Sequence, residues 1–504
     1  MSIAKWISGL MLLLMAASCV NANKNMEEMI PADATGVVSV RLHEILEKAG
    51  MLSDDKITIP SELQNVIDAH EGSVTGRVLE SLPVSGLDLD CNLYFFFSKN
   101  TFRYVCLATL ADEEAARRLI EESTGKTFSP VEDIDVICLD GYAIAIEDGV
   151  LLIGRENRMT DDNTLVQAAR SMLHKSNKCI MEVSEVKKCL AGDNDINAYF
   201  ELKGFNALLK TIPSMRNAIE RYPVISIFTD SDVKALTVNM KFEKEGANLT
   251  AKIKADENSD FVTLLNTVLS KPDNAFLKAM PSTMKCVFAV SVKGRELTKL
   301  DQIKKSINLL SNLPSLDKLD IAGIINTIDG PLAIGLAPSF TYTGDSTSTF
   351  ADDWNMAIAA KSTNPASVVN MVRRFASQMG QPDYIKGKHH VYDYQGKPVY
   401  VGTEGSIVYA MRLDHELTES SWWDMLDLQD SFAKCPIGFF SQSDVLGKPK
   451  SFLNFGFKSS TEGQGVLYTV HENDNTMLAF LEILCSIVPS HQVDENDYVD
   501  NYES

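Results

Sequence analysis

Beyond its first nineteen residues this chain has no run of the roughly 18 uninterrupted apolar residues that a membrane-spanning helix requires. That absence excludes a helical membrane span downstream. None of its nine cysteines falls in a C-x-x-C pair, which removes zinc-ribbon and thioredoxin-type chemistry. Gly-rich phosphate loops, a G-x-G-x-x-G after a strand and a G-x-S-x-G elbow are also missing, so the usual signatures of nucleotide cradling and serine hydrolysis are not there. Positive charge is scarce: 47 Lys and Arg against 68 Asp and Glu leave a net charge of -21. Binding phosphate backbones needs concentrated cations, so nucleic acid is not an expected partner.

What the chain does have starts at its beginning. Lys5 precedes an apolar run from Trp6 to Ala17, and Ala16-Ala17-Ser18 leads into Cys19. A positive end, a hydrophobic segment too short to span a bilayer and small residues before a cysteine describe a processed signal. The stretch resembles a bacterial lipoprotein signal, with Ala16 where that pattern usually has Leu. The resemblance implies a signal peptide over residues 1–18, acyl chains on Cys19 and a lipidated tether over 19–28. The alternative is ordinary secretion, with cleavage after a small residue such as Ala22. Each buried methylene contributes about 0.8 kcal/mol, so two or three long chains on Cys19 would hold a water-soluble body on a bilayer.

With 504 residues, 45% of them hydrophobic, the chain has ample material for a core and an expected two to four domains. Cys106, Cys138, Cys286 and Cys485 lie inside apolar strand or helix patterns, where a thiol acts as a small buried hydrophobe. Cys179 with Cys189, and Cys91 with Cys106, are the pairs to test for disulfides.

Internal similarity is the second strong feature. Ile30-Pro31 leads into Val37 to Val40, and Met280-Pro281 leads into Val287 to Val290 at the same offset. Ala116, Leu119 and Ile120 share one helical face, as do Val368, Val372, Phe375 and Met379. Arg117-Arg118 matches Arg373-Arg374, and Gly125 matches Gly380. Asp148-Gly149 and Glu404-Gly405 then separate alternating apolar runs, a hairpin signal. Leu249, Ala251 and Ile253 alternate as Val466, Tyr468 and Val470 do. After them Phe261, Leu264, Leu265 and Val268 repeat as Met477, Phe480, Leu481 and Leu484. Five matches in one order predict an α+β fold of two related halves made by internal duplication, each a mainly antiparallel sheet with helices on one face. The expected halves are 29–271 and 272–489, followed by an acidic disordered tail over 490–504. Helices are expected over 43–49, 61–69, 164–174, 205–210, 297–310 and 422–428.

The signal, the Ile30-Pro31-Ala32-Asp33-Ala34 opening, the Val-rich strand and the helix over 43–49 together resemble a group of uncharacterised Bacteroidota lipoproteins classed as a domain of unknown function. The resemblance spans most of the chain and implies a cell-envelope setting, with no catalytic residues to carry over. In that phylum, surface-displayed lipoproteins often have acidic residues just after the lipidated cysteine. Residues 20–24 have none, so the periplasmic face of the outer membrane is expected over the cell surface.

Catalytic constellations are weak. Ser184 with Lys187, Ser282 with Lys285 and Ser315 with Lys318 have the spacing of penicillin-binding enzymes, but no K-T-G or S-D-N element accompanies them. Gly344-Asp345-Ser346 echoes a GDS-type esterase inside a Thr/Ser-rich loop. Asp345-Ser346-Thr347 also resembles a Bacteroidota O-glycosylation acceptor, which makes Ser346 a candidate. His389 and His390 are adjacent on an extended segment and so point to opposite faces. Asp193, Asp195 and Asn197 start like an EF-hand loop, yet Ala198 stands where the loop needs Gly, so a turn into a strand over 197–202 is expected. Trp422 and Trp423, after Ser420-Ser421, are candidates for a sugar-binding platform, although such a setting more often buries an indole.

These observations predict a membrane-anchored envelope lipoprotein that acts as a binding or scaffolding component and not as an enzyme. It needs no cofactor or metal, and its further partner is an envelope protein or glycan gripped in a groove between the halves. The alternative is an envelope hydrolase acting on glycan or peptide, with its site in that cleft. A converging cluster of titratable groups would favour the enzyme, and an apolar cleft would favour binding.

Overall fold

The computed structural model describes residues 26–53, 56–70, 73–98, 102–156, 160–174, 178–209, 231–244, 246–312, 317–338, 354–394, 396–414, 432–469 and 475–486. Cys19, Ser346, Trp422 and Trp423 lie outside them, as do Ser315, the expected signal, the acidic tail and the helix expected over 422–428.

The first half opens with β1 (Gly36–Val40), α1 (Leu42–Lys48), a small ribbon of β2 (Leu52–Ser53) and β3 (Lys56–Ile57), then α2 (Ser61–Ala69) and α3 (Val74–Ser81). It continues through β4 (Leu93–Phe97), β5 (Tyr104–Thr109), α4 (Glu113–Thr124), β6 (Ser129–Val131), β7 (Ile134–Leu139), β8 (Tyr142–Glu147) and β9 (Val150–Arg155). Helices α5 (Asp162–Leu173) and α6 (Ser184–Leu190), strand β10 (Ile196–Glu201), α7 (Leu202–Leu209), β11 (Ala235–Glu243), β12 (Gly246–Lys254) and α8 (Asp260–Val268) complete it. The second half runs β13 (Cys286–Lys293), α9 (Gly294–Leu297), α10 (Asp301–Ser311), α11 (Ile321–Asn326), β14 (Ile328–Pro338), β15 (Trp354–Ser362) and α12 (Pro365–Gln378). Strands β16 (Tyr384–Lys386), β17 (His389–Tyr394), β18 (Lys397–Glu404), β19 (Ile407–Arg412), β20 (Ile437–Val445), β21 (Lys448–Phe457) and β22 (Glu462–Thr469) lead to α13 (Thr476–Ser486). The helix expected over 297–310 is thus two helices, α9 and α10, separated by residues 298–300.

Local chemistry sets these boundaries. The Asp112 carboxylate accepts from the Ala115 N–H at 2.9 Å to start α4, and Gly125, at φ +67°, ends it in the left-handed conformation. Asn364 caps α12 in the same way with Pro365 in its first turn, and Gly380 follows at φ +75°. Asp148 and Gly149 both have positive φ, as a tight hairpin between β8 and β9 demands.

The chain is a mixed α+β protein, and every strand pairing among the described residues is antiparallel. In space the first half runs β6-β7-β8-β9-β5-β4-β1-β10-β11-β12. The second half runs β16-β17-β18-β19-β15-β14-β13-β20-β21-β22. The two pairing orders are the same, with β1 in the place of β13, β4 of β14, and so on to β12 and β22. Each of the five sequence correspondences falls on elements in matching positions.

Strands β12 and β22 pair with each other, from Ala247 opposite Leu467 to Lys252 opposite Glu462, so the halves form one twenty-stranded sheet. The expected groove between two separate sheets is replaced at this seam by backbone hydrogen bonds. The helix after each seam strand packs on its own half and also reaches the other. Helix α8 packs on α9 and β13, while α13 packs on α1, α2 and α3.

The expectation of helices on one face fails in the first half. Its central strands are buried on both sides: β1, for example, places Val38 and Val40 under α1, α2, α3, α4 and α13, and Val37 against α5 and α6. Runs such as 93–96 and 150–154 are continuously apolar because neither face meets water.

Candidate functional site

One row of side chains crosses the sheet on the same face in both halves, and its two versions differ sharply. In the first half it passes through Ile153, Cys106, Phe95, Val38, Ala198 and Val238, each opposite the next on a neighbouring strand. Buried side chains of α1, α2, α3, α4 and α13, among them Ile45, Leu63, Val66, Val78, Ile120 and Leu481, cover it. In the second half the matching row is Ala410, Ile358, Ile334, Phe288, Phe439 and Phe455. Here Phe288 is 44% exposed, Ile334 39% and Ile358 43%.

The row is open because the second half's cover is thin. Helices α10 and α11 occupy the β13–β14 connection, where the first half has α2 and α3, yet neither contains a buried residue. Ile324 of α11 packs beside Val408 and Ala410 under α12, which puts this connection on the same side of the sheet as the row. Leu309 and Leu310 of α10 are themselves exposed. Helix α12 covers β17 to β19 and touches β15, and α13 covers the seam strands and the Val445 end of β20, so the uncovered floor is the middle of β13, β14 and β15 with the Ile437 end of β20. Val290, Leu332, Leu336, Met356 and Ile437 flank the exposed residues, all half-buried. Contiguous apolar surface of this kind makes the face a candidate binding site.

The opposite face of the same strands is the packed one. Ala289, Ala333, Ala337, Ala357 and Ala359 point there, against Phe276, Leu277, Met280 and Met284. The approach is close: a Cβ added at Gly335 would lie 2.5 Å from the Met280 Sδ. Large side chains therefore face outward in β14 and β15 and small ones inward, the reverse of an ordinary half-buried strand. That alternation of bulky and small apolar residues, Leu332-Ala333-Ile334-Gly335-Leu336-Ala337, is the sequence signal of the open face, one that motif and charge patterns do not single out.

The residues singled out for chemistry are engaged elsewhere. Asp195, 2% exposed, accepts from the Phe242 N–H and from Lys48 Nζ, both at 2.6 Å. Asp193 binds Arg41 and Lys241, whose hydrogen bonds hold its carboxyl down at about 2. The EF-hand-like segment is thus a turn clamped by three cations and leads into β10. His389 Nδ1 lies 2.8 Å from the Tyr409 hydroxyl, and His390 Nδ1 lies 2.8 Å from Asp383 Oδ1. Asp383 also accepts from Arg373 and Tyr392, fastening α12 to β17. Ser184 and Lys187 are exposed on α6, while Lys285 pairs with Asp444 at 3.1 Å and not with Ser282.

Among the described residues, one His and carboxylate grouping has metal-like spacing: Asp133, Glu147 and His174. Arg170 already hydrogen-bonds Asp133 at 2.8 Å and holds its carboxyl below the ordinary range. A guanidinium in that position repels a cation, so the trio is an ion-pair network.

All eight cysteines other than Cys19 are free thiols, so neither Cys179 with Cys189 nor Cys91 with Cys106 is bridged. Burial drives the Cys106 thiol far up, Cys189 to about 11 and Cys485 to about 12, which leaves them unreactive at neutral pH. Cys138 and Cys286, expected to be buried, are half-exposed. Cys286 lies on the open face, between Leu336 and Ser441 on the adjoining strands.

A family model described as Domain of unknown function (DUF4836) matches residues 26–419. The chain belongs to that family. The DUF4836 match includes β1 to β19, and with them most of the open face, and ends before β20. No curated protein matches the chain. Among solved structures, "Structure of crystal form III of TP0453" is similar at 11% identity, covering 49% of this chain and 88% of that one, with a TM-score of 0.31. Crystal form I of TP0453 has 10% identity, 49% and 86% coverage and a TM-score of 0.30. The DNA polymerase III beta chain from Streptococcus pneumoniae TIGR4 has 9% identity, 86% and 99% coverage and a TM-score of 0.10. Scores this low carry no argument about this DUF4836 protein.

Proposed function

We propose that this DUF4836 protein is a non-enzymatic binding component of the cell envelope that takes up an apolar ligand on the open sheet face of its second half. The single observation behind this reading is the exposed row of Phe288, Ile334 and Ile358, whose first-half counterparts are sealed under helices. Burying apolar surface contributes about 25 cal/mol per Å², so a ligand covering these three side chains gains several kcal/mol without any polar contact. An anchor at Cys19 on the periplasmic face of an outer membrane fits the reading, because it would hold the open face near a source of apolar molecules. Support for that anchor is the apolar run ending in Ala16-Ala17-Ser18-Cys19. The duplication reading rests on the shared pairing order of the two halves: one copy keeps the sheet sealed while the other keeps it open.

The test uses the full-length chain carrying C19A, purified without detergent, and the neutral apolar dye Nile red. Fluorescence should rise on binding, and I334D/I358D should weaken it at least tenfold while circular dichroism shows the variant still folded at the assay temperature. Equal binding by parent and variant refutes the site. For the anchor, cells making C19A are fractionated; a C19A chain still held in the membrane refutes attachment at that cysteine.

A further inference from the structure

The β13–β14 connection, on the same side of the sheet as the open row, carries an unusual charge. Residues 293–312 contain five basic side chains, Lys293, Arg295, Lys299, Lys304 and Lys305, against two acidic ones, in a chain whose overall charge is -21. Lys299 is neutralised by Glu296 at 2.7 Å and Lys304 by Asp301 at 3.0 Å. Arg295 on α9 and Lys305 on α10 are exposed and form no ion pair among the described residues. Arg41, Arg117, Arg170 and Arg373 sit against carboxylates, while Arg118 and Arg374 are exposed without an ion pair among the described residues. Exposed cations without an ion pair occur elsewhere too, as at Lys187 and Lys188 on α6; what sets this connection apart is five basic side chains against two acidic ones in an acidic chain.

The same connection has apolar character. Helix α10 carries Ile303, Ile307 and Leu310 at helical spacing, with Leu309 and Leu310 exposed beside the two lysines. Apolar floor, apolar helix and free cations thus share one side of one half. Their combined chemistry fits a molecule with a long apolar chain and a negative head. A purely apolar ligand would leave Arg295 and Lys305 unused. A small anion would leave the Phe288, Ile334 and Ile358 floor wet.

We propose that the ligand of the open face is a single-chain anionic amphiphile, its tail lying across Phe288, Ile334 and Ile358 and its head matched to Arg295 and Lys305. This rests on the apolar-capture reading above and adds the charge of the ligand. The tail supplies most of the affinity, since every methylene buried on the apolar floor adds to it. The exposed cations select the head group, a modest contribution that salt screens.

The test displaces Nile red from the full-length C19A chain with palmitate or with its uncharged methyl ester. The charge reversal R295E/K305E should weaken palmitate about fivefold and leave methyl palmitate and Nile red unchanged, whereas R295K/K305R should bind palmitate as the parent does. Salt near 1 M should erase the parent's preference for palmitate. If R295E/K305E leaves palmitate unaffected, or weakens methyl palmitate equally, the head-group assignment is overturned while apolar capture stands. If the chain binds palmitate-containing vesicles but not dispersed palmitate, the assignment is overturned in favour of bilayer docking. If the parent binds neither palmitate, its ester nor Nile red, the apolar reading falls as well.

Discussion

Deleting the same atoms from the two versions of the cross-sheet row should have very different costs. Ile153 on β9 is 1% exposed and Ile358 on β15 is 43% exposed, and both are changed to Ala. Each substitution removes three carbons, worth about 2.4 kcal/mol at about 0.8 kcal/mol apiece when fully buried. Ile153 leaves a cavity in a sealed core, which adds to the loss and places the total at about 2–5 kcal/mol. Ile358 gives up little more than half of the transfer contribution and leaves no cavity, because solvent already reaches it. Its cost should be about 1.4 kcal/mol or less. Urea unfolding of the two variants, with matched slopes, measures the difference. Costs equal within about 0.5 kcal/mol would mean that the second-half face is covered in solution, and the proposed site would go with it. Added palmitate should raise the midpoint of the parent more than that of I358A.

Three further outcomes are expected. Folding holds the Asp193 carboxyl near 2, below its unfolded value, so its contribution is complete above about pH 4 and is lost as pH falls through 2; thermal midpoints of D193N should fall less steeply across that window than those of the parent. An Ala at Gly294 would bring its Cβ within 1.8 Å of the Ile325 carbonyl oxygen, so G294A should lower the melting temperature and push α11 from its place, seen as raised Nile red fluorescence. Lys450 Nζ on β21 lies 2.7 Å from Glu482 of α13, whose side chain is 4% exposed; K450M should cost about 3–5 kcal/mol, and K450M/E482L should recover most of it.

Much of the architecture was legible in the sequence because it depends on short-range chemistry. Asp112 and Gly125, Asn364-Pro365 and Gly380, and Asp148-Gly149 mark helix ends and a hairpin through backbone angles that few residues adopt. The strand pairs follow from these turns. What stayed hidden depends on contacts between distant segments. Nothing local to 476–486 says that this helix lies over α2 and α3, or that β12 hydrogen-bonds to a strand more than 200 residues away. The open face was hidden for a related reason: in β14 and β15 both sides are apolar, so periodicity alone does not tell which one is sealed. Side-chain size does, since alanine and glycine mark the side pressed against Met280 and Met284. Convergent titratable groups are the usual sequence mark of a site, and Ile334 and Ile358 carry none.

The antiparallel join of β12 with β22 makes the midpoint of the chain a poor place to cut. A fragment ending near residue 271 would present the bare N–H and C=O groups of an entire strand and would lack the C-terminal helix that seals its core. The complementary fragment would carry the same defect in mirror order. Proteolysis between them should therefore release sticky, aggregating pieces in place of two tidy modules, and the molecule must be handled, truncated and engineered as a single body.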